Sequence, residues 1–124
     1  SNDLNTWASI GKSMNCKIHY ILQPAIGWND KKLTENELKL FNYDIERQGE
    51  VLKKLTSKSS YNDFKKFLTT TINQIPNIDF YDSNEWLKKD IDYKNDIFID
   101  ACHLTDYGNE LLSEIILKKL KLND

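Results

Sequence analysis

Asp100 and His103 are the two side chains of this sequence whose types and spacing best suit joint chemistry. They lie three residues apart in the stretch at 97–109, IFIDACHLTDYGN. A carboxylate can hold an imidazole in one tautomer and stabilise its protonated form. The imidazole can then take the proton of a hydroxyl nucleophile. The spacing therefore indicates two members of a catalytic triad, the base and the acid that orients it.

Two other interpretations of the same spacing stay open. Asp-x-x-His occurs often by chance, and in a non-catalytic interaction module Asp100 and His103 would only cap and staple the last helix. Alternatively, Asp100, His103 and Asp106 could bind a metal, but three ligands spread over a loop and a helix cap make a poor site. We therefore expect no metal at this site. An Asp100 oxygen bonded to His103 Nδ1, beside an open cleft, would favour the triad.

The elements that must position this pair follow from apolar spacing and from capping residues. Thr34 and Glu37 form a predicted capping box, and Gly49 weakens the helix that follows it. Ser60 and Thr105 are candidate caps of later helices. The prediction is a helix at 4–14, a strand at 17–23, helices at 34–56 and 60–75, a strand at 78–82, and a final helix after 105.

Helices that alternate with apolar strands predict an α/β fold with a parallel sheet. The near-continuous apolar character of 17–23 is typical of a strand covered on both faces, so His19 is expected to pack within it. The aromatic residues at 64 and 67 are expected in the core. The mixed charges of 88–96 indicate a solvated loop.

Composition fits one soluble globular domain over residues 1–124. The chain has 29% charged and 40% hydrophobic residues and a net charge of −2. It has no basic run typical of nucleic-acid binding and no apolar run that spans a membrane. Cys16 and Cys102 are expected to be buried thiols. The compartment, cytoplasmic or periplasmic, stays open.

Residues 98–109 also resemble a sequence motif of a known protein family. FIDxxHLTxxGN, followed by an apolar helix, resembles the last conserved block of the SGNH (GDSL) hydrolases. The segments LQP at 22–24 and LTENE at 33–37 are similar to a strand end and helix start of bacterial members. The resemblance implies that Asp100 orients the imidazole and that His103 is the base. It also implies a three-layer α/β/α, flavodoxin-like fold, of which this chain would be the C-terminal half.

The chain departs from that family at the nucleophile. The family carries its serine in a Gly-Asp-Ser motif, and the nearest letters here, Gly11-Lys12-Ser13, follow a helix and make Ser13 a helix-exit residue. Gly27-Trp28-Asn29-Asp30 has the letters of the block that supplies an oxyanion amide, so Asn29 is a candidate donor. The family places two further strands after that block. We find one, which makes 17–23 and 78–82 the fourth and fifth strands and Asn29 a loop residue.

The resemblance thus implies the C-terminal part of a serine esterase or acyl hydrolase. Its substrate would be an ester, such as an acetylated carbohydrate, and its reaction needs no cofactor. Without the serine, this chain alone is expected to be inactive. The strand at 17–23 would lack its inner neighbour, so we expect a homo-oligomer or a missing N-terminal half supplied by another chain.

Overall fold

Parallel strands linked by helices form the frame of the molecule. The computed structural model describes residues 2–88 and 94–121. The elements, in chain order, are α1 (Asn2–Ser13), β1 (Ile18–Leu22), α2 (Glu35–Gln48), α3 (Glu50–Leu55), α4 (Lys58–Ile72), β2 (Ile78–Asp82), a 3-10 turn (Ser83–Glu85) and α5 (Asp106–Leu120).

The helix starts follow the local sequence closely. Thr34 caps α2 through a complete capping box with Glu37, and Thr105 caps α5 by accepting from the Gly108 N–H at 2.9 Å. Both predictions are confirmed. The prediction for α4 was wrong by three residues, because Ser57 is the cap and its hydroxyl accepts from the Ser60 N–H at 3.2 Å.

Gly49 divides the predicted long helix at 34–56 into α2 and α3. Its φ of 67° lies in the left-handed region, which a side chain disfavours. A close approach of two backbone segments requires Gly108, where a Cβ would lie 2.3 Å from the Ile97 carbonyl oxygen. This contact sets the first turn of α5 directly against residue 97.

β1 and β2 pair in parallel, with Ile18 beside Ile78 and Leu22 beside Asp82. The carboxyl ends of both strands therefore lie at one edge of the sheet. The α/β class is confirmed, and the described part of the chain contributes two strands to the sheet. Leu22 is buried, whereas Ile18 is half-buried and His19 exposed, so β1 is less covered than its apolar sequence suggests.

A first apolar cluster joins the sheet to α1 and α4. Its buried members are Ala8, Leu22, Tyr61, Leu68, Ile72, Ile75 and Ile78. The expectation that Phe64 and Phe67 are core residues was wrong, because their exposed fractions are 39% and 63%. α4 instead turns Tyr61, Leu68 and Ile72 inwards.

A second apolar cluster lies under the stretch at 97–109 and is built largely from loops. Ile26, Leu87, Ile97 and Phe98 form its buried centre, and half-buried Phe41, Leu104, Leu111 and Ile115 pack on it. α5 covers this cluster with residues that stay half-exposed. The stretch that carries Asp100 and His103 therefore lies on its own small core.

Three sequence expectations concern the surface. Both cysteines are free and exposed, so the prediction of buried thiols was wrong: Cys16 follows the end of α1, and Cys102 lies in a tight loop. Of the predicted loop at 88–96, residues 89–93 lie outside the described part. Among the described helices, none has the length and apolar character needed to cross a bilayer.

Candidate active site

Asp100 and His103 form a hydrogen-bonded pair. Asp100 Oδ2 lies 2.7 Å from His103 Nδ1. The other carboxylate oxygen, Oδ1, accepts from the backbone N–H groups of Cys102 at 2.9 Å and of His103 at 2.8 Å. The carboxylate thus fixes the loop that carries the imidazole and the imidazole itself. Because Nδ1 is engaged, Nε2 is the ring nitrogen available to a reacting group.

The Asp100 carboxyl is held in its charged form. Partial burial by itself raises its pKa, but the N–H groups of Cys102 and His103 and the His103 ring outweigh burial. The net result is a pKa below the ordinary 3.8. At neutral pH the carboxylate can therefore stabilise positive charge on the imidazole.

A narrow backbone loop presents the pair. Phe98 and Leu104 form an antiparallel bridge across the two ends of the loop. The Ile99 N–H donates to the His103 carbonyl at 3.0 Å, and the Thr105 N–H donates to the Ile97 carbonyl at 2.8 Å. The loop is therefore closed at its base and continues into the cap of α5.

Glu37 anchors the base of this loop from inside the molecule. It is fully buried, and its Oε1 accepts from the backbone N–H groups of Ile97 at 2.7 Å and Phe98 at 3.0 Å. Its Oε2 accepts from the Thr34 N–H at 2.8 Å and pairs with the buried Lys31 ammonium. One carboxylate thereby ties the start of α2 to the strand-like segment that leads into Asp100.

Asp96 adds a second link between the same two segments. Its carboxylate accepts from the Thr34 hydroxyl and, at 3.2 Å, from the Asn36 amide. Its backbone carbonyl accepts from the Thr105 hydroxyl at 2.7 Å. The caps of α2 and α5 are therefore bonded to one residue just before the site loop.

The carboxyl end of the sheet holds the other side of the site loop. The Gln23 amide donates to the Cys102 carbonyl, and the Ile26 N–H donates to the Ala101 carbonyl at 2.9 Å. Asn84 in turn binds the segment after β1, because its Oδ1 accepts from the Ala25 N–H at 3.0 Å. The pair thus lies at the carboxyl edge of the parallel strands, where ligands bind in open α/β sheets.

A buried carboxylate at the end of β2 supports this edge. Asp82 accepts from the Tyr61 hydroxyl at 2.6 Å, from the Asn84 amide at 3.0 Å and from the Lys65 ammonium at 3.1 Å. Burial and the bond to Asp82 raise the pKa of Tyr61 to about 12. Burial opposes ionisation of Asp82, but its hydrogen bonds outweigh burial and hold its pKa below 3.8.

An open cavity of about 340 Å³ lies beside His103. Residues after β1, from α3 and α4 and from the site loop line it: Leu22, Gln23, Pro24, Ala25, Trp28, Leu52, Leu55, Thr56, Phe64, Ala101, Cys102 and His103. The His103 side chain is 69% exposed. The imidazole is therefore accessible, and one side of it faces a largely apolar recess.

Asn29 lies in the loop between β1 and α2, as the strand assignment implied. Its amide donates to the Ala25 carbonyl at 2.7 Å, and its Oδ1 accepts from the Lys31 N–H at 3.0 Å. The side chain shapes the turn that leads to the buried Lys31. The role of Asn29 as an oxyanion donor stays a prediction.

The remaining candidate groups lie away from the pair. Ser13 is the last residue of α1, and its hydroxyl donates to the Ile10 carbonyl at 2.8 Å. His19, the other histidine of the chain, packs on Tyr81 and lies 3.7 Å from Asp79. Within the described residues, the structure records no serine hydroxyl bonded to His103.

Cys102 joins the pair, which the sequence analysis did not anticipate. Asp100, Cys102 and His103 each have one potential metal-ligand atom within 4.8 Å of those of the other two residues. Asp106 is not part of this group. Burial and the Asp100 charge raise the pKa of the Cys102 thiol. The thiol form therefore dominates at neutral pH, which disfavours Cys102 as a nucleophile or a metal ligand.

Sequence reasoning missed the side chains that anchor the loop from behind. Glu37 was recognised as a capping residue, but nothing in its spacing showed that its second oxygen reaches residues 97 and 98. Lys31 stands between Asp30 and Lys32 in a charged part of a loop, and its burial became evident from the fold. For Asp82, its position at the carboxyl end of a predicted strand was the available signal.

No protein-family model matches the chain, and no curated protein matches it.

Proposed function

We propose that this chain supplies the acid–base pair of a serine esterase or acyl hydrolase of the SGNH type. The observation that carries the proposal is the 2.7 Å contact between Asp100 Oδ2 and His103 Nδ1, on an accessible imidazole at the carboxyl edge of the sheet. Asp100 held as a carboxylate favours the tautomer in which Nε2 is a free base. The lowered pKa of Asp100 supports this assignment.

The proposed reaction uses a serine hydroxyl from outside the described residues. His103 Nε2 takes the hydroxyl proton while the serine oxygen attacks the ester carbonyl, and Asp100 stabilises the imidazolium. The imidazolium then gives its proton to the departing alcohol, which leaves an acyl-enzyme. Water, deprotonated by the same imidazole, releases the acid. No step needs a cofactor.

The serine would come from a segment that packs beside the sheet, either of a longer chain or of another copy. Trp7 on α1 and Met14 just after α1 support such a contact, because they expose 57% and 67% of their surface. Next to them, Asp3, Leu4, Trp7, Ile18, His19 and Tyr20 line an open recess of about 490 Å³. Light scattering on the 124-residue chain is expected to show self-association, and a monodisperse monomer would count against a contact between copies.

The chemistry is tested on a longer gene product that carries a Gly-Asp-Ser block ahead of residue 1. We expect hydrolysis of 4-nitrophenyl acetate and serine labelling by a fluorophosphonate. His103→Asn should lower hydrolysis about a thousandfold or more, and Asp100→Asn about a hundred- to ten-thousandfold. The matched control is Asp106→Asn, because Asp106 is exposed and lies outside the group that Asp100 forms with Cys102 and His103, and it should leave hydrolysis unchanged.

Two results would contradict the proposal. One is hydrolysis or labelling that survives His103→Asn. The other is an upstream sequence with no such serine together with no partner copy that supplies one, which would leave Asp100 and His103 as the cap of a non-catalytic module. The 124-residue chain alone should give no burst of nitrophenol.

A further inference from the structure

The recess beside His103 differs in chemistry from the polar edge of the sheet that supports it. Leu22, Trp28, Leu52, Leu55 and Phe64 are the large apolar side chains that line it. Leu22 and Leu52 are buried, whereas Leu55 and Phe64 expose 57% and 39% of their surface. Apolar side chains therefore cover both the floor and the rim, and the rim stays open to a ligand.

The polar groups of the recess are few and largely engaged. The Gln23 amide donates to the Cys102 carbonyl, and the Thr56 hydroxyl donates to the Leu52 carbonyl at 2.8 Å. The Trp28 indole N–H donates to the Leu55 carbonyl at 2.8 Å. Among the described lining residues no Asp, Glu, Lys or Arg occurs. A sugar ring would find few partners here, and a charged group would find none besides the imidazole.

The size of the recess also limits which ligands would fill it. Because a water molecule takes about 30 Å³ in the liquid, a volume of about 340 Å³ far exceeds what an acetyl group fills. The volume falls in the usual range of small-molecule sites, which are mostly apolar with a few polar groups at one end. Here His103 and Cys102 are polar lining residues that belong to the site loop.

We infer that this recess binds an apolar acyl chain of several carbons, with the acyl carbon placed beside His103. The inference narrows the proposed function from esters in general to esters of medium-length, uncharged acyl groups. It rests on the proposed function for the identity of the reacting centre. The binding of the chain to the wall, however, is independent of any catalysis.

The test uses the 124-residue chain with hexanoate and acetate, the acids that hydrolysis would release. Both probes carry the same carboxylate, so a difference between them reports the alkyl chain. The Trp28 indole resonance, assigned with Trp28→Phe, is followed by NMR. We expect saturable shifts with hexanoate and binding at least about tenfold tighter than acetate, because each buried methylene contributes about 0.8 kcal/mol.

A matched pair of variants locates the bound chain. Leu55→Gln places a neutral polar group on the rim and should weaken hexanoate binding about threefold or more. Val51→Gln makes the same kind of change four residues earlier on α3, where Val51 is 69% exposed and does not line the recess. This control should bind hexanoate like the original chain.

The outcomes separate the two proposals. His103→Asn should keep the preference for hexanoate over acetate, because the wall supplies it, so a failure of the catalytic proposal leaves this result in place. Equal binding of both acids, no shift with either, or equal effects of Leu55→Gln and Val51→Gln would overturn the acyl site while leaving Asp100 and His103 as a catalytic pair.

Discussion

Glu37 and Asp100 bind the backbone in the same way but in opposite surroundings. Each carboxylate uses one oxygen to accept from two consecutive N–H groups, those of residues 97 and 98 for Glu37 and those of residues 102 and 103 for Asp100. Each uses its other oxygen on a basic side chain, Lys31 or His103. The Glu37 side chain is fully buried, whereas the Asp100 side chain is 37% exposed.

The difference in burial assigns the two carboxylates different tasks. In the interior an ion pair must stay intact, because removing one partner leaves an uncompensated charge out of water. Near the surface, water screens the charges, so a proton can enter or leave the pair at small cost. Glu37 therefore holds the site loop in place, whereas the surroundings of Asp100 suit the proposed role of assisting a change of charge on His103.

The largest predicted effect comes from Glu37→Gln. It leaves Lys31 charged and buried and weakens the bonds to residues 97 and 98, so unfolding free energy should fall by about 3–5 kcal/mol. Urea unfolding followed by circular dichroism measures it. Glu35→Gln is the control, since Glu35 is 82% exposed and pairs with Lys39 at the surface, and it should stay within about 0.5 kcal/mol. Equal effects would mean that burial does not separate the two kinds of carboxylate.

Lys31→Met should cost less than Glu37→Gln. The Glu37 carboxylate keeps three backbone N–H donors, at Thr34, Ile97 and Phe98, when its cation is removed. We expect a loss of about 1.5–3 kcal/mol in the same urea experiment, because hydrogen bonds to a charged group contribute about that much. A larger loss than for Glu37→Gln would show that the ammonium, and not the backbone, is the main partner of the carboxylate.

Asp82 offers a third carboxylate, buried but paired with a partly exposed lysine. Asp82→Asn should lower stability by about 1–3 kcal/mol. It should also lower the pKa of Tyr61 from about 12, because the charge of Asp82 disappears while burial remains. Absorbance of tyrosinate against pH measures this shift. Asp79→Asn on the same strand is the control, and it should leave the Tyr61 titration unchanged.

The direction in which stability changes with pH follows from the lowered pKa of the Asp82 carboxyl. The folded protein holds the pKa of Asp82 below 3.8, so the contribution of Asp82 to stability is fully present above its unfolded pKa. It is lost as the pH falls through the folded value. Thermal unfolding between pH 6 and pH 3 should therefore show a shallower decline for Asp82→Asn, whereas an unchanged slope would contradict this role.

The local parts of this arrangement were predictable from sequence, and the long-range parts were not. Thr34, Thr105 and the strand at 78–82 follow from capping chemistry and apolar patterns that act within a few residues. Asp100 and His103 lie three residues apart, so their pairing was also a local inference. The bonds from Glu37 to residues 97 and 98 join positions some sixty residues apart, and no local pattern specifies which backbone a buried carboxylate meets.

The residues that were expected to be buried but are exposed show that local sequence patterns do not determine burial. Phe64 and Phe67 fit the helical stripe of α4, yet α4 turns Tyr61 and Leu68 inwards, because the sheet and α1 determine which face of the helix is covered. Cys16 and Cys102 were assigned by the usual burial of cysteine, and local turns place both outside. Apolar periodicity indicates that a helix has an apolar face, but it does not determine which element packs against that face.

The smallest expected effect on stability, and the sharpest on the site, comes from Asp100→Asn. Asn keeps an oxygen for the N–H groups of Cys102 and His103, and the side chain is near the surface, so unfolding free energy should change by less than about 1 kcal/mol.

Because the Asp100 charge contributes to the raised pKa of Cys102, the substitution should lower that pKa and increase the thiolate fraction. Alkylation by iodoacetamide at pH 8 should become faster at Cys102 by a factor of a few. Cys16 provides the internal control, because it is exposed, lies outside the site loop and should react at its original rate. A Cys102 rate that does not respond would show that water screens the Asp100 charge within 4.8 Å, and Asp100 would then only hold the loop, as Glu37 does.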